Sequence, residues 1–421
     1  GLLAPFKNGL PADNKMLQMA LQRLKQLAAH EVGHTLGLMH NYISSAQNRA
    51  SVMDYPPPLV SLDKNNEIDL SNAYTNEIGA WDKVSIAYGY QEFAFNEEAA
   101  GLDKILKDAA KDGLTFISDR DARDPGGLHP NAHLWDVGKD PVSGLKDIMK
   151  IRTKALSQFG ENNILKGTPQ SMLEDVFVPV YLFHRYQLEA VSKMVGGLYY
   201  SYAIKGDGQM ITASVSKQEQ LNALHALVDC MSPQVLEMPS NIIRLIPPRP
   251  AGYEYHRELF NRRTGLAFDP LAAAETAADM PLSFLFNVSR LNRMVQYDAE
   301  NDGLGIDEML NVLIAASWKS PRTLGLQQLI LQQNEQLLLT YMLSVSVNDD
   351  ASFATKSAML QGLDALKLYI NAKLKTNNTR EYRGYLLLAL DRMKFPEKAK
   401  PTLHLTPPPG SPIGCDLGDD L

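Results

Sequence analysis

Residues 30 to 40 read His30-Glu31-Val32-Gly33-His34-Thr35-Leu36-Gly37-Leu38-Met39-His40. Imidazoles four residues apart share one face of a helix, and here a carboxylate follows the first of them directly. That arrangement suits zinc: neutral imidazoles meet the ion at about 2.0 to 2.1 Å, and the carboxylate points at the water filling an open coordination position. Gly37 comes three residues after His34 and His40 three after that, which completes H-E-x-x-H-x-x-G-x-x-H. A glycine has a purpose there. The helix must end and the chain must turn sharply, through positive φ, to bring a third imidazole back to the same ion. At average residue frequencies these five fixed positions coincide in roughly one chain in 100,000 of this length, so chance is a poor explanation.

Working outward, Leu17, Leu21, Leu24, Ala28 and Leu36 recur at three- and four-residue steps after Pro11-Ala12-Asp13-Asn14, which predicts a helix from Lys15 to Leu38. Pro56-Pro57-Pro58 lies in a stretch, 38 to 75, that reads as loop. Within it Ser51-Val52-Met53-Asp54-Tyr55 sets a methionine in a tight irregular segment with a tyrosine two residues on. A second helix is expected from Thr75 to Ala87, stopped by Gly89.

These features together resemble the metzincin metalloproteases, whose long zinc motif is followed by a methionine-containing turn that floors the site. The resemblance implies His30, His34 and His40 as ligands of Zn2+, Glu31 as general base and acid, and Met53 as the floor, with Gly37 making the turn. Ser-x-Met-x-Tyr is most similar to the astacin and serralysin branches, in which the tyrosine can reach the metal or the reaction intermediate, and Tyr55 inherits that role. Trp81 to Gly89 resembles the closing helix of such domains. The likeness covers roughly residues 13 to 90, and the helical remainder resembles the C-terminal extension of large bacterial zinc-dependent proteases. It implies a zinc endopeptidase acting on peptides or proteins in an extracellular, periplasmic or cell-envelope setting. In metzincins the sheet that holds the substrate precedes the zinc helix. Here about a dozen residues do, and the chain opens on Gly1 without a basic-then-apolar leader. The expectation is a truncated fragment that presents the zinc ligands yet is weak or inactive as a protease.

Beyond residue 95 helical patterns follow one another: Glu97 to Lys111, Asp140 to Gln158, Ser171 to Val195, Lys217 to Met231, Ala272 to Val295, Leu304 to Trp318, Pro321 to Val347, Ala351 to Leu374 and Arg380 to Met393. Leu198 to Ile204 is β-prone and ends at Gly206-Asp207-Gly208, so a small hairpin interrupts the helices. No fixed period marks a solenoid. The fold class expected is mainly α: the C-terminal part of a zincin catalytic domain over 1 to 95, a large irregular helical extension over 96 to 400 that divides near 210, and a flexible tail over 401 to 421. With 421 residues, 45% of them apolar, the chain can build sizeable cores, which excludes the disordered classes. Against 48 acidic residues stand 41 scattered basic ones, a net charge of −7, so nucleic acid is excluded as a partner. No apolar run reaches the length of a membrane span. Two distant cysteines, Cys230 and Cys415, indicate no disulfide framework.

Rival signals are weaker. Glu77 could be the third ligand in a thermolysin-like scheme, but His40 already completes the set and that scheme gives Gly37 and Met53 no purpose. His129 and His133 have the right spacing in a stretch that Gly126, Gly127 and Pro130 deny a helix. Asp119-Arg120-Asp121 lacks the glycine and closing glutamate of a calcium loop and reads as solvated. Asp298 to Asp302 comes closer to one, with Glu308 a residue early, against a plain polar connection. His184, His225 and His256 lack a second ligand at useful spacing. A non-catalytic scaffold with a structural zinc, closed by Tyr55 as fourth ligand, is the alternative functional class. The two ligand schemes separate on zinc affinity: His40→Ala is expected to weaken it more than roughly 100-fold, beyond what outer-shell changes cost, and Glu77→Ala to leave it unchanged.

Overall fold

The computed structural model describes residues 1–6, 14–124, 126–301, 303–376 and 378–401, with the side chain of Asn301 left aside. Among them run α1 (Lys15–Thr35), α2 (Ala80–Tyr90), α3 (Glu98–Lys111), α4 (Asp119–Arg123), α5 (Pro141–Ser157), α6 (Leu173–Tyr181), α7 (Arg185–Ser192) and α8 (Lys217–Cys230). Then come α9 (Pro233–Leu236), α10 (Ser240–Ile243), α11 (Pro270–Leu285), α12 (Val288–Asn301), α13 (Ile306–Ala316), α14 (Gly325–Ser346), α15 (Phe353–Leu374) and α16 (Arg380–Arg392). Short 3-10 turns and two short antiparallel hairpins accompany them, the hairpins being β1 (Ser61–Leu62) with β2 (Ile68–Asp69) and β3 (Leu198–Tyr200) with β4 (Thr212–Ser214). The fold is mainly α, as expected. The β1–β2 hairpin lies inside the stretch read as loop, and two-residue strands are too short to leave an alternating pattern.

Local chemistry explains most helix ends. Asp140 and Asp269 accept hydrogen bonds from the first-turn N–H groups of α5 and α11, each followed by proline at the first position. Ser216 and Glu219 form a capping box at α8. The helix expected over Ser171 to Val195 divides into α6 and α7. Pro179 removes one ladder hydrogen bond, and the helix ends two residues later. The helix expected over Ala272 to Val295 also divides, because the Asn287 side chain accepts from the Arg290 N–H (3.2 Å) and starts α12 as a new cap. Helix α2 begins at Ala80 rather than Thr75, since Gly79 is extended and its N–H is taken by the Asp82 carboxylate at 2.6 Å. Asp119-Arg120-Asp121, read as a solvated loop, instead opens the helical turn α4.

The main core gathers α11, α14 and α15 with α7, α8 and α13 around side chains such as Ala277, Leu313, Leu338, Leu339 and Trp318. Two small clusters tie the zinc-motif region to it. Tyr42 and Ile43 pack with Ile117, Ala122, Ala132 and Leu134, and Val60, Ile68 and Leu70 pack with Ile151, Ala155 and Val180. These contacts run across residue 95. No helix among the described residues is long and apolar enough to cross a membrane. The tail from 402 on, Cys415 included, and Asp302 of the acidic 298 to 302 segment lie outside the described residues.

Helix α1 forms where its periodicity predicts, but its apolar stripe is turned to solvent, with Leu17, Leu21 and Leu24 exposed by 59, 50 and 60%, while Gln26, His30 and Gly33 are buried. The helix is held by polar contacts of its second half rather than by its leucines. Leu24→Ser is therefore expected to change unfolding free energy by less than about 0.5 kcal/mol, whereas Leu338→Ala in the main core should cost about 2 to 5 kcal/mol, both read by urea titration.

Candidate metal centre

Helix α1 carries His30 and His34 one turn apart and stops at Thr35. The stop is a Schellman motif: the Leu38 N–H donates to the Gly33 carbonyl (3.0 Å) and the Gly37 N–H to that of His34 (2.9 Å). Gly37 has φ +81°, the left-handed conformation a glycine enters freely, and the chain doubles back to place His40 beside the helix.

Each imidazole is then anchored through Nδ1. His30 donates to the Val52 carbonyl at 2.7 Å, His34 to the Leu38 carbonyl at 3.0 Å, and His40 to both oxygens of the Asp119 carboxylate at 2.9 Å. Those acceptors have no proton to give, so Nδ1 carries the hydrogen in all three rings and each Nε2 of a neutral ring presents a bare lone pair. Burial presses His30 down to about 4, which keeps it neutral. The Nε2 of His34 lies 3.0 Å from that of His30 and 3.1 Å from that of His40. Three lone pairs facing one another repel unless a cation lies between them. A tetrahedral ion with bonds of about 2.0 to 2.1 Å keeps its nitrogens roughly 3.3 Å apart, so the donor set and its spacing fit zinc. Among the described residues these histidines form the group of three or more His, Cys, Asp or Glu side chains that could hold a metal.

The chain belongs to the Met-zincin family. Its family model matches residues 12–324, well over half of the sequence. No curated protein and no solved structure matches the chain. A Met-zincin is a zinc metallopeptidase, with peptides or proteins as substrates, and the family implies a metal for the three-histidine group.

Met53 lies under α1. It is buried, and a Cβ added to Gly33 would come within 2.2 Å of its sulfur, so the small residue between His30 and His34 is what lets the turn approach. The turn is braced from α2. The buried Asp82 carboxylate accepts from the Ser51 hydroxyl (2.5 Å), the Val52 N–H (2.8 Å) and the Gly79 N–H. The Val52 carbonyl thus fixed receives His30 Nδ1–H and, at 3.2 Å, the amide of Gln26. Tyr55 is half-buried, its ring centre 5.2 Å from that of His30 and 4.8 Å from that of His40, and its N–H donates to Asp54 at 2.7 Å. Glu31 faces solvent beside His30, and its negative charge favours protonation of that ring.

The structure brings together His30, His34, His40, Tyr55, Gly33 and Met53, and leaves Glu77 exposed and outside the group. His129 and His133 are buried in their loop and lie outside the three-histidine group found among the described residues. His184 is enclosed in the core and His256 pairs with Asp175 at 2.7 Å. Asp119 escaped the sequence reading, since nothing in its neighbourhood announces a partner 79 residues away. Burial raises the Asp119 carboxyl, but bonds from His40, Arg123 and Ser118 outweigh that and hold it below the usual carboxylate range. The Gly33–Met53 contact sets a double-mutant test. Gly33→Ala should destabilise by about 1 to 3 kcal/mol through overpacking, and the cost should shrink by more than half in a Met53→Ala background, measured by thermal unfolding.

Proposed function

We propose that the protein is a zinc-dependent endopeptidase that works through an activated water, with Glu31 as the proton shuttle. The observation that carries this reading is the convergence of three Nε2 lone pairs, two from α1 and one from beyond the Gly37 turn, in a group whose His34 is open to solvent. Zinc bound there supplies a Lewis acid for the substrate carbonyl and lowers the pKa of water from about 15.7 toward roughly 7. Glu31, exposed on the same helix one residue after His30, takes the proton of the attacking water and returns it to the departing amine. Tyr55, whose ring lies against those of His30 and His40, donates a hydrogen bond to the oxyanion that develops on the carbonyl oxygen. The group found among the described residues supplies three histidine donors, and the rival structural site would have to be closed by Tyr55 as fourth ligand.

Hydrolysis of a mixed peptide library by the zinc-loaded protein, compared with Glu31→Gln, tests the shuttle. The expected result is a rate at least about 100-fold lower in the variant with zinc content unchanged, in the range that general acid–base catalysis contributes. The ratio carries the test whatever the absolute rate. Equal turnover by the two proteins would contradict the role given to Glu31.

A further inference from the structure

We infer that Asp119 is a positioning residue for the third metal ligand, and that the 119–123 turn and the β3–β4 hairpin form a brace through which the helical part of the chain sets the geometry of the metal centre. The inference rests on the metal-centre reading and extends it to residues far outside the motif.

His30 and His34 need little help to converge, since both stand on one rigid helix and their Nδ1–H groups meet nearby backbone carbonyls. His40 is different. It follows the helix stop, its main chain is in no regular element, and its imidazole could rotate away from the other two. What stops it is the Asp119 carboxylate, with both oxygens 2.9 Å from Nδ1. A carboxylate there fixes tautomer and ring orientation together and makes Nε2 a stronger electron donor.

Asp119 is itself pinned. It accepts from Arg123 Nε (3.0 Å), the Ser118 hydroxyl (3.1 Å) and the Tyr42 hydroxyl (3.3 Å), and Arg123 closes the ring by donating to Tyr42 at 3.0 Å. The approach of the two segments is built from the backbone. The Tyr42 N–H donates to the Ile117 carbonyl (2.9 Å), and Asn41 spans the gap through Thr115 and Ile117. Behind this turn stands the hairpin. Tyr200 and Tyr202 both donate their hydroxyls to Asp121, and the Ser118 N–H donates to the Tyr202 oxygen at 3.2 Å. One face of the turn holds the ligand and the other is clamped by two tyrosines. Neutralising Asp119 removes a charge-assisted bond to His40 and leaves Arg123 short of its carboxylate.

Zinc affinity, measured on the full chain by competition with a chromophoric chelator, tests the inference. Wild type is compared with Asp119→Ala, the near-isosteric Asp119→Asn and the hairpin variant Tyr202→Phe. Expected is a 10- to 100-fold loss of affinity in Asp119→Ala, a smaller loss in Asp119→Asn and the smallest in Tyr202→Phe, with any fall in the thermal midpoint of the metal-free Asp119→Asn protein too small to account for its loss of affinity. A low-field imidazole N–H proton resonance, present in zinc-loaded wild type, should vanish in Asp119→Ala. Affinities within threefold of wild type in both Asp119 variants would overturn the proposal. So would a loss matched by equal destabilisation of the metal-free Asp119→Asn protein, since that would make the residue merely structural. Failure of wild type itself to bind zinc would strike the metal-centre reading instead, so the two failures are distinguishable.

Discussion

The site depends on one constraint: three imidazoles whose Nδ1 hydrogens are all committed to acceptors, so that three Nε2 lone pairs are forced into one small volume. Each acceptor comes from a different part of the chain. Leu38 lies in the turn that Gly37 allows, Val52 in the segment that α2 holds through Asp82, and Asp119 in the turn pinned by Arg123 and Tyr42. The repulsion among those lone pairs is the free energy that a bound cation relieves. Fixing the rings in advance also spares the ion the entropy of ordering them.

The short turn beneath α1 couples backbone and chemistry. Asp82 satisfies two backbone N–H groups and a hydroxyl in a buried place where each would otherwise be costly to leave unpaired. In doing so it orients the Val52 carbonyl toward His30 and sets Met53 against Gly33. The helix that carries His30 and His34 is thus held mainly through its second half. That explains how α1 can leave Leu17, Leu21 and Leu24 in solvent and still keep His30 and His34 in register.

How much of this was legible follows from the range of each interaction. The three histidines, the helix stop and the methionine turn lie within 26 residues, and their chemistry is local: helical spacing, a left-handed glycine and a tight turn. The helices of the remainder were legible from periodicity, and their misplaced ends trace to single residues, Pro179 in α6, Asn287 before α12 and Gly79 before α2. The periodicity of α1 predicts the helix but not its environment, because a stripe of leucines says that a surface is apolar and not whether anything covers it. Asp119 was passed over as solvated, because its meaning lies in a bond to His40 that only the packing of Tyr42 and Ile43 on Ile117, Ala122 and Leu134 creates.

Zinc content per chain after exhaustive dialysis, measured for wild type beside His34→Ala, tests the central claim most directly. His34 is the middle member of the group, its Nε2 next to both others. The account predicts about one zinc in wild type and none retained in the variant, as a site with three protein ligands requires. Zinc retained in full by His34→Ala, or none bound by wild type supplied with it, would contradict the account.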